Sequence, residues 1–247
     1  MMKRIAMLLP FLAFSLTGCD IADEALNAEH IRGSGRVVQE KRNVSGFHEV
    51  RFAGSGDLNI QQGSQESLTV EAEDNIIGRL RTDVEGGRLV IRTEKGVSIT
   101  PTEPIRFTLM VRDLSDLELS GSGQIKTGPI RSQDFRVRLP GSGEISFEEL
   151  SATNLIAEIS GSGKIEVPGS VVSQRVNISG SGDYEGRRLQ SKSAEVSVSG
   201  SGDSTVWVQD NLNASISGSG TVDYYGNPTV IRHVSGSGGV NNRGDHP

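Results

Sequence analysis

Glu144, Glu148, Glu149 and Glu166 are the residues best suited by type and spacing to acid–base chemistry, since they fall on neighbouring copies of a repeat of about 20 positions. Paired carboxylates are the minimum that glycoside hydrolysis requires. Exposed glutamates on a repeated face are also the ordinary means of keeping it soluble, and no His, Ser or acid motif converges on these four, so the solvated reading is favoured. Asp183 and Asp203 occupy one station in consecutive repeats and would make a weak surface cation site. That station is otherwise Arg36, Asp57, Gln124, Glu144, Lys164, Thr221 or Gly239, a mixture that argues for a solvated edge. His30, His48, His233 and His246 never reach a metal-ligand spacing, so no metal or cofactor is implied. Gly161-Ser162-Gly163-Lys164 runs into Ile165-Glu166-Val167, a strand pattern, whereas a phosphate-binding loop opens a helix. Arg243-Gly244-Asp245 matches an integrin-binding tripeptide, a match short enough to arise by chance. Trp207, Tyr184, Tyr224 and Tyr225 cluster late in the chain, where core or cap packing competes with a sugar-stacking patch.

Cys19, the only cysteine, carries a different chemistry. A cationic start, Met1-Met2-Lys3-Arg4, precedes twelve mainly apolar residues from Ile5 to Leu16, too few for a helix to span a ~30 Å hydrocarbon core. The segment ends in Leu16-Thr17-Gly18-Cys19, which resembles the lipobox of bacterial lipoproteins, where cleavage precedes the cysteine and its sulfur takes a lipid. The chain therefore divides into a signal peptide (1–18), a lipidated Cys19 with an acidic tether (19–43), one folded domain (44–238) and a polar tail (239–247). Lipidation uses up the one thiol, so disulfide and redox roles fall away. Asp20 resembles a retention signal for the inner membrane and favours it slightly over the outer one. The chain carries 25 basic and 31 acidic side chains, a net charge of −6, and only 4% aromatic residues, which excludes nucleic acid as a partner.

The element that must position all these groups is a repeat. Gly-Ser-Gly begins at Gly33, Gly54, Gly121, Gly141, Gly161, Gly180, Gly200, Gly218 and Gly236. Spacings are 18–21 residues except for 67 between Gly54 and Gly121, close to three periods of about 22, so the repeat is expected to continue there with degraded turns. Two residues before each triplet stands an apolar residue, from Ile31 and Phe52 to Ile216 and Val234; three before stands a polar one. After the triplet, Val37, Leu58, Ile125, Ile145, Ile165, Tyr184 and Val222 return to the apolar side, Ser204 being the exception. This period of two means strands with one buried face. A strand, a Gly-rich corner and a second strand within about 20 residues make one rung of an all-β parallel β-helix or β-solenoid, whose neighbours stack ~4.8 Å apart. Right-handed connection is the rule for parallel strands. Even spacing and in-register corners favour this over a β-sandwich of repeated hairpins. The Gly-Ser-Gly corners are structural sites, glycine allowing positive φ and close backbone approach, with the serines forming a hydroxyl ladder. Residues 44–120 depart from the simple period and 121–238 keep it: Leu68–Ala72 and Leu89–Ile91 read as strands, 83–88 and 99–104 as breakers, and 75–80 as a short turn or helix.

Asn75-Ile76-Ile77, Thr82-Asp83-Val84, Gly87-Arg88-Leu89-Val90-Ile91 and the serial Ser-Gly-Ser-Gly copies resemble the putative auto-transporter adhesin head GIN domain family over about residues 44–237. The resemblance implies a β-helical domain, often on a lipoprotein, and brings no catalytic residues. The expected function is a non-enzymatic, lipid-anchored module of the bacterial cell envelope, facing the periplasm, that binds an envelope protein or a polysaccharide. An envelope-stress scaffold or sensor, or a polysaccharide-active β-helix enzyme, are the alternatives.

Overall fold

The computed structural model describes residues 28–245, so Cys19, Asp20, the signal peptide and His246 lie outside the described residues. Among the described residues the protein is nearly all β, with 67% of them in strands and no α-helix. In the N-terminal part β1 is Glu29–Arg32, β2 Val37–Arg42, β3 Glu49–Ala53, β4 Asp57–Gln62 and β5 Ser67–Glu73. A 3-10 turn at Ile77–Arg79 leads to β6 (Leu80–Glu85), β7 (Arg88–Thr93), β8 (Val97–Thr100) and β9 (Arg106–Val111). The regular part follows as β10 (Asp116–Leu119), β11 (Gln124–Arg131), β12 (Asp134–Leu139), β13 (Glu144–Ser151), β14 (Asn154–Ile159), β15 (Lys164–Glu166) and β16 (Gly169–Ile178). It ends with β17 (Asp183–Gly200), β18 (Asp203–Gly218), β19 (Thr221–Tyr225), β20 (Thr229–Gly236) and β21 (Gly239–Asn242).

Strands before the corners stack in parallel as β3-β10-β12-β14-β16-β17-β18-β20, a first face. Strands after the corners stack as β4-β11-β13-β15-β17-β18-β19-β21, a second face. From Gly121 to Gly236 this makes a β-solenoid of about 6 turns. The predicted inner columns are the core except at the last rung, where Val234 is exposed: Phe52, Leu119, Leu139, Ile159, Ile178, Val198 and Ile216 are buried, facing Leu58, Ile125, Ile145, Ile165 and Val222. Edge-to-face ring pairs Phe52–Phe107 and Phe135–Phe147, with centroids 5.3 and 5.6 Å apart, tie the two faces together. Ser204 takes the same inward station with its Oγ buried and unpartnered, between Tyr184 and Val222 of adjacent rungs.

The 67-residue interval is not three degraded rungs. Gly121 stacks directly on Gly54: Ser120 N–H donates to Phe52 O at 3.0 Å and Gly123 N–H to Gly54 O at 3.3 Å. Residues 63–115 instead run outward and build the N-terminal end. There β7 and β9 add one rung outside β3 and β4, in parallel, with a loop through β8 in place of Gly-Ser-Gly. The hairpin partner β6 and the antiparallel strands β5 and β2 then close the stack. The β6–β7 turn is Gly86-Gly87 with φ of 57° and 82°, the positive pair a tight hairpin turn requires. Ile99 and Thr100, expected to break the chain, belong to β8, which pairs in parallel with β1.

Two further expectations are corrected. Gly33-Ser34-Gly35 is no member of the corner column; it is a turn between β1 and β2, and Val37 beyond it is exposed. The triplet is held by Glu73, Asp74 and Asn75: Gly35 N–H donates to Glu73 Oε1 at 2.7 Å, Ser34 N–H to Asn75 Oδ1 at 3.1 Å, and Ser34 Oγ to Asp74. The tail, expected to lack strand structure, forms β21, with Val240 packed on the end of the core, because parallel pairing with β19 satisfies its backbone regardless of side-chain polarity.

Candidate functional site

The corner column explains the strongest sequence signal. A Cβ on Gly121, Gly141, Gly161, Gly180, Gly200, Gly218 or Gly236 would overlap the carbonyl oxygen of the corresponding glycine one rung earlier. The third glycine of each triplet meets the same obstacle. Close stacking of backbones is therefore the requirement at every corner, with positive φ added only at some, such as Gly218 at 139°. Ser122, Ser142 and Ser162 between them are exposed and line a shallow groove of about 450 Å³ with Gln124, Glu144 and Lys164. That groove is no anion cradle. Gln124 N–H donates to Gly56 O at 2.9 Å, Glu144 N–H to Gly123 O at 3.2 Å and Lys164 N–H to Gly143 O at 3.1 Å, so these donors are committed to the preceding rung.

The four glutamates lie on the outer side of the second face. Glu144 accepts from Gln124 Nε2 at 3.1 Å, while Glu166 sits between Arg188, at 2.6 Å, and Lys164, at 3.9 Å. Glu148 and Glu149 are exposed. Glu166 is thus engaged by two cations, and the four carboxylates do not converge on one point as an acid–base pair must. Asp203 spends an oxygen on the Thr221 N–H at 2.8 Å, and among the described residues no three His, Cys, Asp or Glu gather as metal ligands. His48 stands 3.8 Å from Glu49 at the N-terminal end, His30 lies in β1, and His233 is exposed on β20. In the tripeptide, Arg243 pairs with Asp223 at 2.7 Å and Gly244 O accepts from Gly226 N–H at 2.9 Å, which lays it along the last rung rather than on a projecting loop.

Tyr184 is core. Its hydroxyl donates to Gln174 Oε1 at 3.0 Å, Gln174 Nε2 donates to Ser191 Oγ at 2.8 Å, and Ser191 Oγ donates to Trp207 O at 2.9 Å. Burial pushes the phenol far above its ordinary pKa, so it remains neutral. This buried chain escaped sequence reasoning because Gln174 and Ser191 stand at polar-looking positions; only the parity of the strand places them inside.

Two surface features were also missed. On the first face a charge ladder crosses rungs: Arg51–Glu118 at 3.1 Å, Glu118–Arg138 at 2.9 Å and Arg138–Asp116 at 2.7 Å. Its signal was legible as the alternation Arg51, Glu118, Arg138, Glu158 three residues before successive corners. Beside it runs an open groove of about 510 Å³, edged by Asn154, Ser173, Ser193 and Asn211, one residue per rung, and by Arg175, which pairs with Glu195 at 2.7 Å. Ser173 Oγ donates to Asn154 Oδ1, and Asn154 Nδ2 to Asp134 Oδ1, both at 2.7 Å, so three rungs of this polar edge are joined by hydrogen bonds. Such a surface can hold an extended partner; it brings no reacting groups together.

A family model described as putative auto-transporter adhesin, head GIN domain, matches residues 46–228. The fold is similar to that of a putative adhesin from Bacteroides fragilis, with TM-score 0.82, 20% identity, and 86% of this chain and 99% of that one covered. A putative lipid binding protein from Parabacteroides distasonis gives 0.75 and 27%, covering 87% and 99%. A putative adhesin from Parabacteroides merdae gives 0.65 and 21%, again covering 87% and 99%. No curated protein matches the chain.

Proposed function

Since the chain belongs to the family described as putative auto-transporter adhesin, head GIN domain, we propose that it is a non-enzymatic binding module of the bacterial cell envelope, held to a membrane by lipid on Cys19. One observation carries the reading: the solenoid turns long outer faces to solvent as ordered columns of polar side chains, while its candidate acids are scattered or ion-paired. Repeat proteins use such extended surfaces to hold partners. In this reading residues 1–18 are removed on export, Cys19 carries the lipid, and the acidic segment up to residue 43 leads into the domain. Asp20 favours the inner membrane. Among the described residues no helix is long and apolar enough to cross a membrane.

An array of envelope glycans and envelope proteins, run beside hydrolysis assays, tests the proposal. We expect saturable binding without turnover. Release of reducing ends at the rate of an enzyme would overthrow it, and absence of binding to both glycans and envelope proteins would remove its basis.

A further inference from the structure

Among the described residues nearly every aromatic side chain is accounted for by the core: Phe47, Phe52, Phe107, Phe135, Phe147 and Tyr184 are buried, and Tyr224 packs on the core's open end. Trp207 and Tyr225 are different. Trp207 lies between Val206 and Val208, both fully buried, so the alternation of the strand turns its ring to the outer side of the second face. Tyr225 is its partner in the next rung, facing the same way, and both are half-buried. The two residues therefore stand side by side along the solenoid axis, roughly 4.8 Å apart at the backbone.

Charged groups bracket this pair. One rung before it the register slips between Gly186 and Gln190, an irregularity that sets Gln190 opposite Trp207 and leaves Arg187 out of the ladder with β18. Bulges commonly re-aim a side chain at a functional surface. Glu185 grips the Arg187 guanidinium through two hydrogen bonds of 2.7 and 2.6 Å and leaves it within electrostatic reach of the Tyr225 phenol. One rung after the pair, Arg243 N–H donates to Tyr224 O at 2.8 Å, which sets Arg243 beside Tyr225. Its guanidinium is held by Asp223 at 2.7 Å, and Asp223 also accepts from Asn241 Nδ2 at 3.0 Å. Seven residues after four consecutive corners thus stand Arg187, Trp207, Tyr225 and Arg243.

Resting on the binding-module reading, we infer that this Arg-Trp-Tyr-Arg strip is a binding site for a linear, uncharged polysaccharide lying along the solenoid axis. Pyranose rings offer apolar C–H faces to aromatic rings and a rim of hydroxyls to charged groups, and the strip supplies both in that arrangement. Each arginine arrives paired with a carboxylate, so the rim presents donors and acceptors with little net charge. A polyanion would gain nothing from these neutralised pairs and would be repelled by a chain of net charge −6. The centre of a protein-docking surface is depleted of charge, whereas here charge pairs abut the rings; the exposed Ile231 and Val234 belong to the other face.

Trp207 is the only tryptophan of the chain, so its fluorescence reports on the strip alone. The experiment titrates the mature chain with cellohexaose, chitohexaose, xylohexaose and mannohexaose, with polygalacturonate as the acidic comparison. We expect at least one neutral hexasaccharide to shift the emission saturably, and Tyr225→Ala, which keeps the reporter, to weaken it by roughly tenfold or more. Trp207→Ala, followed by calorimetry, should do the same, while Asn177→Ala on the other face should not, with all melting temperatures compared. Silence from every neutral sugar in both readouts overturns the inference, as does tighter binding of polygalacturonate. Array binding that survives both aromatic substitutions would also overturn it and leave the binding-module reading standing. Array binding only to proteins, lost in Trp207→Ala, would reassign the strip to a protein partner.

Discussion

Gly161 and Ser162 are neighbours in one corner, yet the structure assigns them opposite tolerances. A methyl group on Gly161 collides with the backbone carbonyl of Gly141 in the stacked rung before it, whereas Ser162 is exposed to solvent. Gly161→Ala should cost roughly 2–3 kcal/mol by forcing adjacent rungs apart, and Ser162→Ala less than about 0.5 kcal/mol. Chemical denaturation of the two variants checks this; equal midpoints would contradict the stacking argument. Glu73 is the residue whose role depends most on pH. Its carboxylate is covered by two loops, accepting from Thr102 Oγ1, from Gly35 N–H at 2.7 Å and from Thr102 N–H at 3.0 Å. The Thr102 hydroxyl foremost, against some opposing desolvation, holds its pKa below the ordinary 4.5. A carboxyl lowered on folding contributes stability that is complete above 4.5 and is lost as pH falls through the folded value. Glu73→Gln should therefore melt lower than the parent at neutral pH and show a shallower loss between pH 5 and 3. The slope will not vanish, because Asp74 and Glu94 are lowered too, by Ser34 and by Arg81.

The elements that end a solenoid face a problem that its inner rungs do not, since an uncovered strand edge invites another chain. At the N-terminal end β5 and β6 run antiparallel to the stack and, with β2 paired antiparallel on β5, cover it. Among the described residues the C-terminal end has no such cover; β20 pairs only with β18, and β21 only with β19. The protection there is chemical. Arg232 occupies the inward column that holds Val176, Val196 and Ala214 in earlier rungs, and Asn242 follows Val206 and Tyr224 in the matching column of the second face. A charge aimed inward makes addition of a further rung unfavourable. The double change Arg232→Val with Asn242→Val should convert a monomer into dimers or longer species in sedimentation velocity, increasing with concentration. Truncation after Gly220 should do likewise, because the edge it uncovers carries Ala214 and Ile216 with no inward charge. Monomers in both cases would mean that the end is protected by something other than these side chains.

For the molecule as a whole, the prediction concerns its address. Cys19→Ser should abolish labelling by radioactive palmitate and leave an unprocessed precursor on a gel; labelling equal to the parent would refute the lipid anchor. How much of this protein could be read from its residues follows from the distance over which each determinant acts. Alternation of apolar and polar residues and the recurrence of Gly-Ser-Gly are local, and they were enough to define strands, inward columns and a stack of rungs, because each rung repeats one short solution to burying a face. Six of the seven intervals between the stacked corners carried that information. The seventh, from Gly54 to Gly121, did not, since the decision to lay Gly121 on Gly54 and turn 63–115 into an end cover depends on strand pairing across 67 residues, which no local period records. Gly33 misled for the same reason: an identical triplet, pinned by Glu73 and Asp74 rather than by a neighbouring rung, makes a turn instead of a corner. The aromatic strip lay between the two cases. Its residues could be listed from the sequence as a group, but Tyr184 went to the core and Trp207 and Tyr225 to the surface by strand parity alone. The bulge at 187–189, set by pairing with the next rung, was what brought Arg187 beside them.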